Sequence, residues 1–379
     1  MSSYRFLEEA LEQSKAKNTY RQLSTFPHLI DFTSNDYLGF AQSLELHSEI
    51  FDRIKSVKTL GATGSRLLTG HSKQYEDLEI LIAKYHKAEN ALIFNTGYTA
   101  NLGLISTIAT VQDRILHDFH IHASIHDGIR LSKAKSFPFR HNDLYHLEQR
   151  LATPWAGRTF VCVESVYSLI GSIAPLQKIQ ELCEHYEAFL IVDEAHAIGI
   201  FGNYGEGLTT HLGLQNKVFA TLYTFGKALG VHGAAITCST ILKNYLINFC
   251  RPFIYTTALP SSALIAIKAA YKHNEISSSL RKYLTNLISF FRKQAIKLDV
   301  PLQKVNENSQ IQSICIPGTS RVRDVALQLR SFNFDVRPIL SPTVKQKQEL
   351  LRICLHTFNT KEEISQLLSI ISKALTLCV

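Results

Sequence analysis

The chain has seven cysteines but no Cys-x-x-Cys pair. The odd count argues against a disulfide framework or a zinc ribbon and for a reducing cytoplasm. No apolar run approaches the roughly 18 residues a membrane span needs. Met1 to Lys17 carries Glu8, Glu9 and Glu12 among Leu7 and Leu11, which predicts an amphipathic helix and lacks the apolar core of a signal peptide. There is no internal repeat, no low-complexity linker and no Gly-x-x-x-x-Gly-Lys-Ser/Thr loop, so a nucleotide hydrolase is disfavoured. Dense Lys/Arg runs, zinc-finger spacing and aromatic–basic runs are also missing, which argues against a nucleic-acid partner. Disorder is excluded by 45% hydrophobic and 19% charged residues. A length of 379 residues suits about two domains at roughly 150 residues each.

The net charge of +8 is unevenly placed. Residues 1–280 hold 25 basic and 25 acidic residues, whereas residues 281–379 hold 15 and 7. The excess in the last quarter suits a solvated basic face, an anionic membrane surface, or a polyanionic small molecule or carrier.

Short apolar runs alternate with helical patterns between residues 91 and 238. Strands are expected at Ala91–Phe94, Arg114–Leu116, Thr159–Val163, Phe189–Val192, Ala220–Tyr223 and Ala234–Cys238. Helices are expected at Ala100–Thr107, Ser124–Ser132, Leu144–Leu151 and Leu176–Tyr186. This alternation predicts an α/β fold whose large domain has a mainly parallel sheet covered by helices. Two long helical patterns over 260–298 lead to a smaller C-terminal α/β domain: strand Ile311–Cys315, helix Val322–Leu329, strand Leu351–Leu355 and helix Ile364–Leu375. The expected organisation is an N-terminal helix and arm over 1–45, a large domain over 46–280 and a small domain over 281–379, with a cleft between the last two.

Four places can carry chemistry. Phe189 to Val192 runs into Asp193 at a strand's carboxyl end, where open parallel sheets bind ligands. Asp193 could also cap a following helix or serve as a Walker-type acid, but Glu194 and His196 close behind favour a polar site. Lys227 follows the strand ending at Tyr223, between apolar segments. It reads either as a surface lysine or as a desolvated amine suited to Schiff-base chemistry. Asn95-Thr96-Gly97-Tyr98 leads from a strand into a helix, whose first N–H groups suit a phosphate. His117, Asp118, His120, His122 and His126 cluster together. His120 and His122 read as a metal pair, or one imidazole stacks on a flat ring. Strand-end acid, loop lysine and phosphate cradle in one domain point to pyridoxal phosphate, which needs all three.

At this point the chain resembles the α-oxoamine synthases, fold-type I pyridoxal-phosphate enzymes that join an amino acid to an acyl thioester with loss of CO2. The motifs are Thr33-Ser34-Asn35-Asp36-Tyr37-Leu38-Gly39, Gly61 to Gly70, His122-Ala123-Ser124, His141-Asn142-Asp143, Asp193-Glu194-Ala195-His196, Thr224-Phe225-Gly226-Lys227, Tyr255 to Pro260 and Leu351-Arg352-Ile353. The Ser34-to-Gly39 and Gly61-to-Leu67 stretches and Ser341-Pro342-Thr343-Val344 resemble most the member that uses L-alanine and a pimeloyl thioester on coenzyme A or an acyl carrier protein. Relatives using glycine or serine with another acyl group are the alternative.

The resemblance implies that Lys227 bonds pyridoxal 5′-phosphate, Asp193 pairs with its ring nitrogen and His122 stacks on the ring. It implies His196 and Ser168 near the phenolic oxygen, and Gly97, Tyr98 and Thr224 at the phosphate. Thr256 and Thr257 would come from a neighbouring subunit, so a homodimer is implied. Arg352 would bind the amino-acid carboxylate, with Asn35 and Arg21 near the substrate; no metal and no membrane is implied. Leu169-Ile170 stands where the family usually has Met-Asp, Leu340 where an arginine is common, and Lys345 to Leu350 replaces the usual Pro-x-Gly-Thr-x-Arg run.

Overall fold

The computed structural model describes residues 4–376 except 18, 24, 26, 27, 304–307 and 342. The first three residues of the expected N-terminal helix, Pro342 and Cys378 therefore lie outside the described residues. Strands β1 (Asn90–Phe94), β2 (Arg114–Asp118), β3 (Lys135–Phe139), β4 (Thr159–Glu164), β5 (Phe189–Asp193), β6 (Ala220–Thr224) and β7 (Ala234–Cys238) form one seven-stranded sheet in the order β1-β7-β6-β5-β4-β2-β3. Strands β2 to β6 pair in parallel. Only β7 is reversed, antiparallel to both β6 and β1. The short 225–233 connection cannot carry the crossover that a parallel partner requires, so the chain turns straight back.

Val161, Cys162, Val163, Leu190 and Val192 are buried, as expected of central strands covered on both faces. Helices Gly97–Ile108, Ala123–Ser132, Leu144–Ala152 and Leu176–His185 alternate with the strands. The expected elements are all present, with ends shifted by no more than three residues. Strand β3 was not expected, because Pro138 interrupts its pattern. It lies at the sheet edge and pairs only with β2, where a missing N–H is tolerated.

Helices Ser261–Ile276 and Ser278–Lys297 follow. The smaller domain is built on a three-stranded antiparallel sheet, with Leu350–Cys354 between Arg337–Ile339 and Ile311–Cys315. Helices Thr319–Ser331 and Lys361–Thr376 contribute Val325, Leu329, Leu367 and Ile371 to its core. The three-residue strand Arg337–Ile339 was not expected, being too short to show a period.

The N-terminal arm is tied to this smaller domain. Ile30–Asp31 pairs in parallel with Phe334–Asp335. Cys354 N donates to Phe32 O at 2.9 Å and Thr357 N donates to Tyr37 O at 3.0 Å. The arm thereby carries Asn35 and Tyr37 toward the carboxyl ends of β4 to β6. Ahead of it, helix Arg5–Ala16 buries none of its residues. No helix among the described residues is long and apolar enough to cross a membrane.

Candidate active site

The carboxyl ends of β4, β5 and β6 and the first turn of helix Gly97–Ile108 surround a cavity of about 310 Å³. Its lining includes Gly97, Tyr98, His122, Asp193, His196, Thr224 and Lys227. Seven residues proposed from separate stretches of sequence thus share one wall.

Asp193 ends β5 and is buried. Its Oδ1 accepts from Ala195 N at 2.9 Å and its Oδ2 accepts from Asn101 Nδ2 at 2.7 Å. Residues 195–200 are turn and no helix follows, so the helix-cap reading does not hold. Lys227 lies in the loop after β6, with Nζ 3.0 Å from His196 Nε2. Burial holds its amine below the ordinary lysine value and the charge of Arg352 adds to this, while Asp193 and Glu164 oppose it. His196 is held well below the ordinary imidazole value, by burial first and then by the charges of Lys227, Arg352 and His122. It is therefore a neutral ring at physiological pH.

His122 caps helix Ala123–Ser132, its Nδ1 accepting from Ser124 N at 3.2 Å. Asn101 Nδ2 also donates to Ser124 Oγ at 3.0 Å, and that hydroxyl lies 2.8 Å from His122 Nδ1, so it donates there. The imidazole is fixed as a flat wall, and burial and Lys227 lower its pKa against the pull of Asp193. The metal-pair reading of His120 and His122 does not survive this geometry. His120 packs edge-on against His141, whose Nδ1 lies 2.9 Å from Asp118 Oδ1. Among the described residues no group of three or more His, Cys, Asp or Glu is placed to hold a metal ion.

Thr96 caps the helix that Gly97 begins, accepting from Thr99 N. A Cβ at position 97 would fall 2.2 Å from Thr224 Cγ2, so only glycine lets β6 and this helix end approach so closely. Gly97 and Tyr98, in this helix's first turn, line the cavity, and the N–H groups of a first turn have no partner within the helix. The Tyr98 hydroxyl is engaged by Asp127.

The other proposed residues do not line the cavity. Arg352 is set beside it, with Nε donating to Ser168 O at 2.6 Å and Nη2 donating to Asn35 Oδ1 at 2.9 Å. Ser168 therefore presents its carbonyl to Arg352. Thr256 and Thr257 lie outside, where Asn95 Nδ2 donates to Thr256 Oγ1 at 3.3 Å and to Thr257 O at 2.8 Å. Arg21 lines a second cavity of about 220 Å³ with Arg323, Leu340, Ser341 and Thr343.

Sequence reasoning missed Asn101, Glu164 and Tyr37. Asn101 sits one helical turn after Gly97, the signal that was available. Glu164 ends β4 in register with Asp193, a second strand-end acid. Tyr37 belongs to a recognised motif, yet nothing local to it announces a contact with His196 Nδ1 at 2.7 Å.

A buried amine, a strand-end carboxylate, a flat imidazole and a helix N-terminus suit an anionic aromatic aldehyde. Glu164 Oε1 and Asn101 Oδ1 are buried at this cavity without a partner, which is consistent with a polar group belonging there. The family model described as aminotransferase class I and II matches residues 27–371.

The chain belongs to this family. An 8-amino-7-oxononanoate synthase of Emericella nidulans is 38% identical, over 97% of this chain and 94% of its own length. The crystal structure of 8-amino-7-oxononanoate synthase from Francisella tularensis is 32% identical, with a TM-score of 0.80 covering 92% of this chain and 98% of that one. The Sphingomonas wittichii serine palmitoyltransferase is 26% identical, with a TM-score of 0.90 covering 99% and 98%. This aminotransferase-family chain is a fold-type I enzyme of the α-oxoamine synthase group, which condenses an amino acid with an acyl thioester. As a fold-type I member of this family it takes pyridoxal 5′-phosphate, which the amine, acid, imidazole and helix end of the cavity fit.

Proposed function

We propose that the enzyme condenses L-alanine with a pimeloyl thioester to give 8-amino-7-oxononanoate, CO2 and the free thiol carrier, a step of biotin biosynthesis. The observation that carries this reading is the row joining Arg352, through Asn35, Tyr37 and His196, to Lys227. It sets a cation suited to an amino-acid carboxylate beside the amine that would handle the α-proton. Our choice of substrates follows the likeness to the 8-amino-7-oxononanoate synthases.

Lys227 would hold the cofactor covalently, and Asp193 would keep its ring nitrogen protonated. When bound, the cofactor supplies an electron sink for the α-carbon. His122 would pack on the ring, and Gly97, Tyr98 and Thr224 would surround the phosphate. His196 and Ser168 would lie by the phenolic oxygen. Arg352 would orient the alanine carboxylate through paired donors, with Asn35 and Arg21 near the substrates. The released Lys227 amine, its pKa lowered by burial, would take the α-proton. A bond forms between the alanine α-carbon and the acyl carbon, the thiol leaves, the carboxyl group departs as CO2, and a proton is returned to the α-carbon.

Thr256 and Thr257 would serve a neighbouring subunit's site, making the enzyme a homodimer, and we place it in the cytoplasm. A second reading is a sister synthase using glycine or serine, of the glycine C-acetyltransferase, 5-aminolevulinate synthase or serine palmitoyltransferase type. It is favoured by the likeness to serine palmitoyltransferase; Leu169, Ile170, Leu340 and the Lys345-to-Leu350 segment depart from the family's usual pattern and leave the acyl donor open, and Leu340 lies on the second cavity.

The deciding experiment offers alanine, glycine and serine with acyl thioesters of several lengths, on coenzyme A and on acyl carrier protein, and identifies products by mass. Alanine with the pimeloyl donor is expected to dominate. A strong preference for glycine or serine would replace the leading reading with the second.

A further inference from the structure

The row that ends at Lys227 has a direction. Arg352 Nη2 donates to Asn35 Oδ1 at 2.9 Å, and Tyr37 Oη donates to the same oxygen at 2.9 Å. Tyr37 Oη lies 2.7 Å from His196 Nδ1, and His196 Nε2 lies 3.0 Å from Lys227 Nζ. A guanidinium only donates, so the amide of Asn35 must turn its oxygen toward Arg352. That oxygen carries no hydrogen, so its contact with Tyr37 uses the hydroxyl proton. A hydroxyl has one proton; with it committed to Asn35, Tyr37 can only accept from His196. The opposite arrangement would leave two oxygens 2.9 Å apart with no hydrogen between them. Tyr37 and His196 are both buried, where such a mismatch is costly.

We propose that Tyr37 and Asn35 are positioning residues that select the tautomer of His196: its proton is held on Nδ1, and the Nε2 lone pair faces Lys227. Arg352 sets the direction from the smaller domain, the arm relays it, and the lysine's neighbour in the large domain receives it. His196 Nε2 is thereby an acceptor for the Lys227 ammonium. The charged or titratable groups facing His196 are Tyr37, Lys227, Arg352 and His122, and those facing Lys227 include Asp193 and Glu164. The relay stands whichever amino acid or acyl donor the enzyme uses.

NMR of the full-length protein with ring-nitrogen-labelled histidine, freed of cofactor, tests it. Wild-type His196 is expected to carry its proton on Nδ1. His86 is an internal reference: its Nδ1 lies 3.1 Å from the Glu206 carbonyl oxygen, which only accepts, so it must be protonated there. Asn35→Ala frees the Tyr37 proton and is expected to move the His196 proton to Nε2. Tyr37→Phe removes the selector and is expected to yield a mixture. Unchanged His86 signals in both variants establish that they are folded. In the holoenzyme, wild type and Tyr37→Phe should still differ in their His196 shifts. A wild-type proton on Nε2, an Asn35→Ala spectrum unchanged at His196, or identical holoenzyme shifts would overturn the proposal.

Discussion

The amide nitrogen of Asn101 bridges Asp193 Oδ2 at 2.7 Å and Ser124 Oγ at 3.0 Å, and through Ser124 it reaches His122. One side chain thus aligns both the acid and the flat imidazole of the cavity. A hydrogen bond to a charged group is worth about 1.5–3 kcal/mol. Asn101→Ala is therefore expected to lower kcat by about tenfold or more, and Asp193→Asn by about 10²–10³-fold. Steady-state kinetics on cofactor-saturated enzyme checks both. A wild-type kcat in Asn101→Ala would mean that Asp193 and His122 hold their places without it.

Most of the architecture was legible because its strands are continuous apolar runs, as at Phe160 to Val163 and Leu190 to Val192, and these are buried on both faces. Lys227, Asp193 and Gly97 were legible for the same reason: each sits at a strand end or the turn after it. Pro138 hid β3, since a pattern rule cannot see that the strand lies at an edge. Tyr37 and Arg352 belong to recognisable motifs. Their meeting depends on pairing between the arm and the smaller domain, 302 to 317 residues apart in the chain, which no local pattern encodes. Thr256 and Thr257 were singled out only by family likeness, and nothing around them in their own chain marks an active site.

Glu164 and Asp193 end adjacent strands in register. Burial first, and then the charge of Asp193, push the Glu164 carboxyl well above its ordinary value. Folded, Glu164 stays protonated where the unfolded chain has already lost that proton, at about pH 4.3. The unfolded state then binds fewer protons than the folded one, so this group lowers stability as pH rises from about 4.3 toward the folded value, by at most about 1.4 kcal/mol per unit. Glu164→Gln removes the effect. Its urea midpoint relative to wild type, with cofactor removed, is expected to climb as pH rises above about 4.3. Parallel curves would show that Glu164 ionises like an exposed glutamate.

The Lys345 ammonium lies over the Phe119 ring, 5.3 Å from its centroid, so this small-domain loop touches the large domain. Lys345 and Lys347 are both exposed, and they belong to the 281–379 segment with 15 basic and 7 acidic residues. Such a face would attract the phosphates of coenzyme A or an acidic carrier protein. Charge reversal by Lys345→Glu with Lys347→Glu is expected to raise KM for the acyl donor by about tenfold at low ionic strength. The difference should shrink as salt is added, and KM for alanine should stay as it was. An acyl-donor KM equal to that of wild type would return both lysines to a solvated surface.

Thr256 and Thr257 stand outside the cavity of their own chain, on a stretch where Tyr255 is 72% exposed and, through Ala258 N donating to Gly64 O at 2.9 Å, beside the turn that carries Leu68, 80% exposed. Apolar exposure around polar residues of this kind suits contact with a second copy across a two-fold axis. If the threonines act in the partner's site, Lys227→Ala and Thr256→Ala/Thr257→Ala chains should each be poorly active alone. In a mixed dimer one site then carries both defects and the other carries none. Random mixing in equal amounts makes half of the dimers mixed, with one of two sites intact, so activity should recover to about a quarter of wild type. If the threonines served their own chain, every site would retain a defect and mixing would restore nothing. Sedimentation over a dilution series supplies the independent check, since a monomer with full activity would remove the shared site altogether.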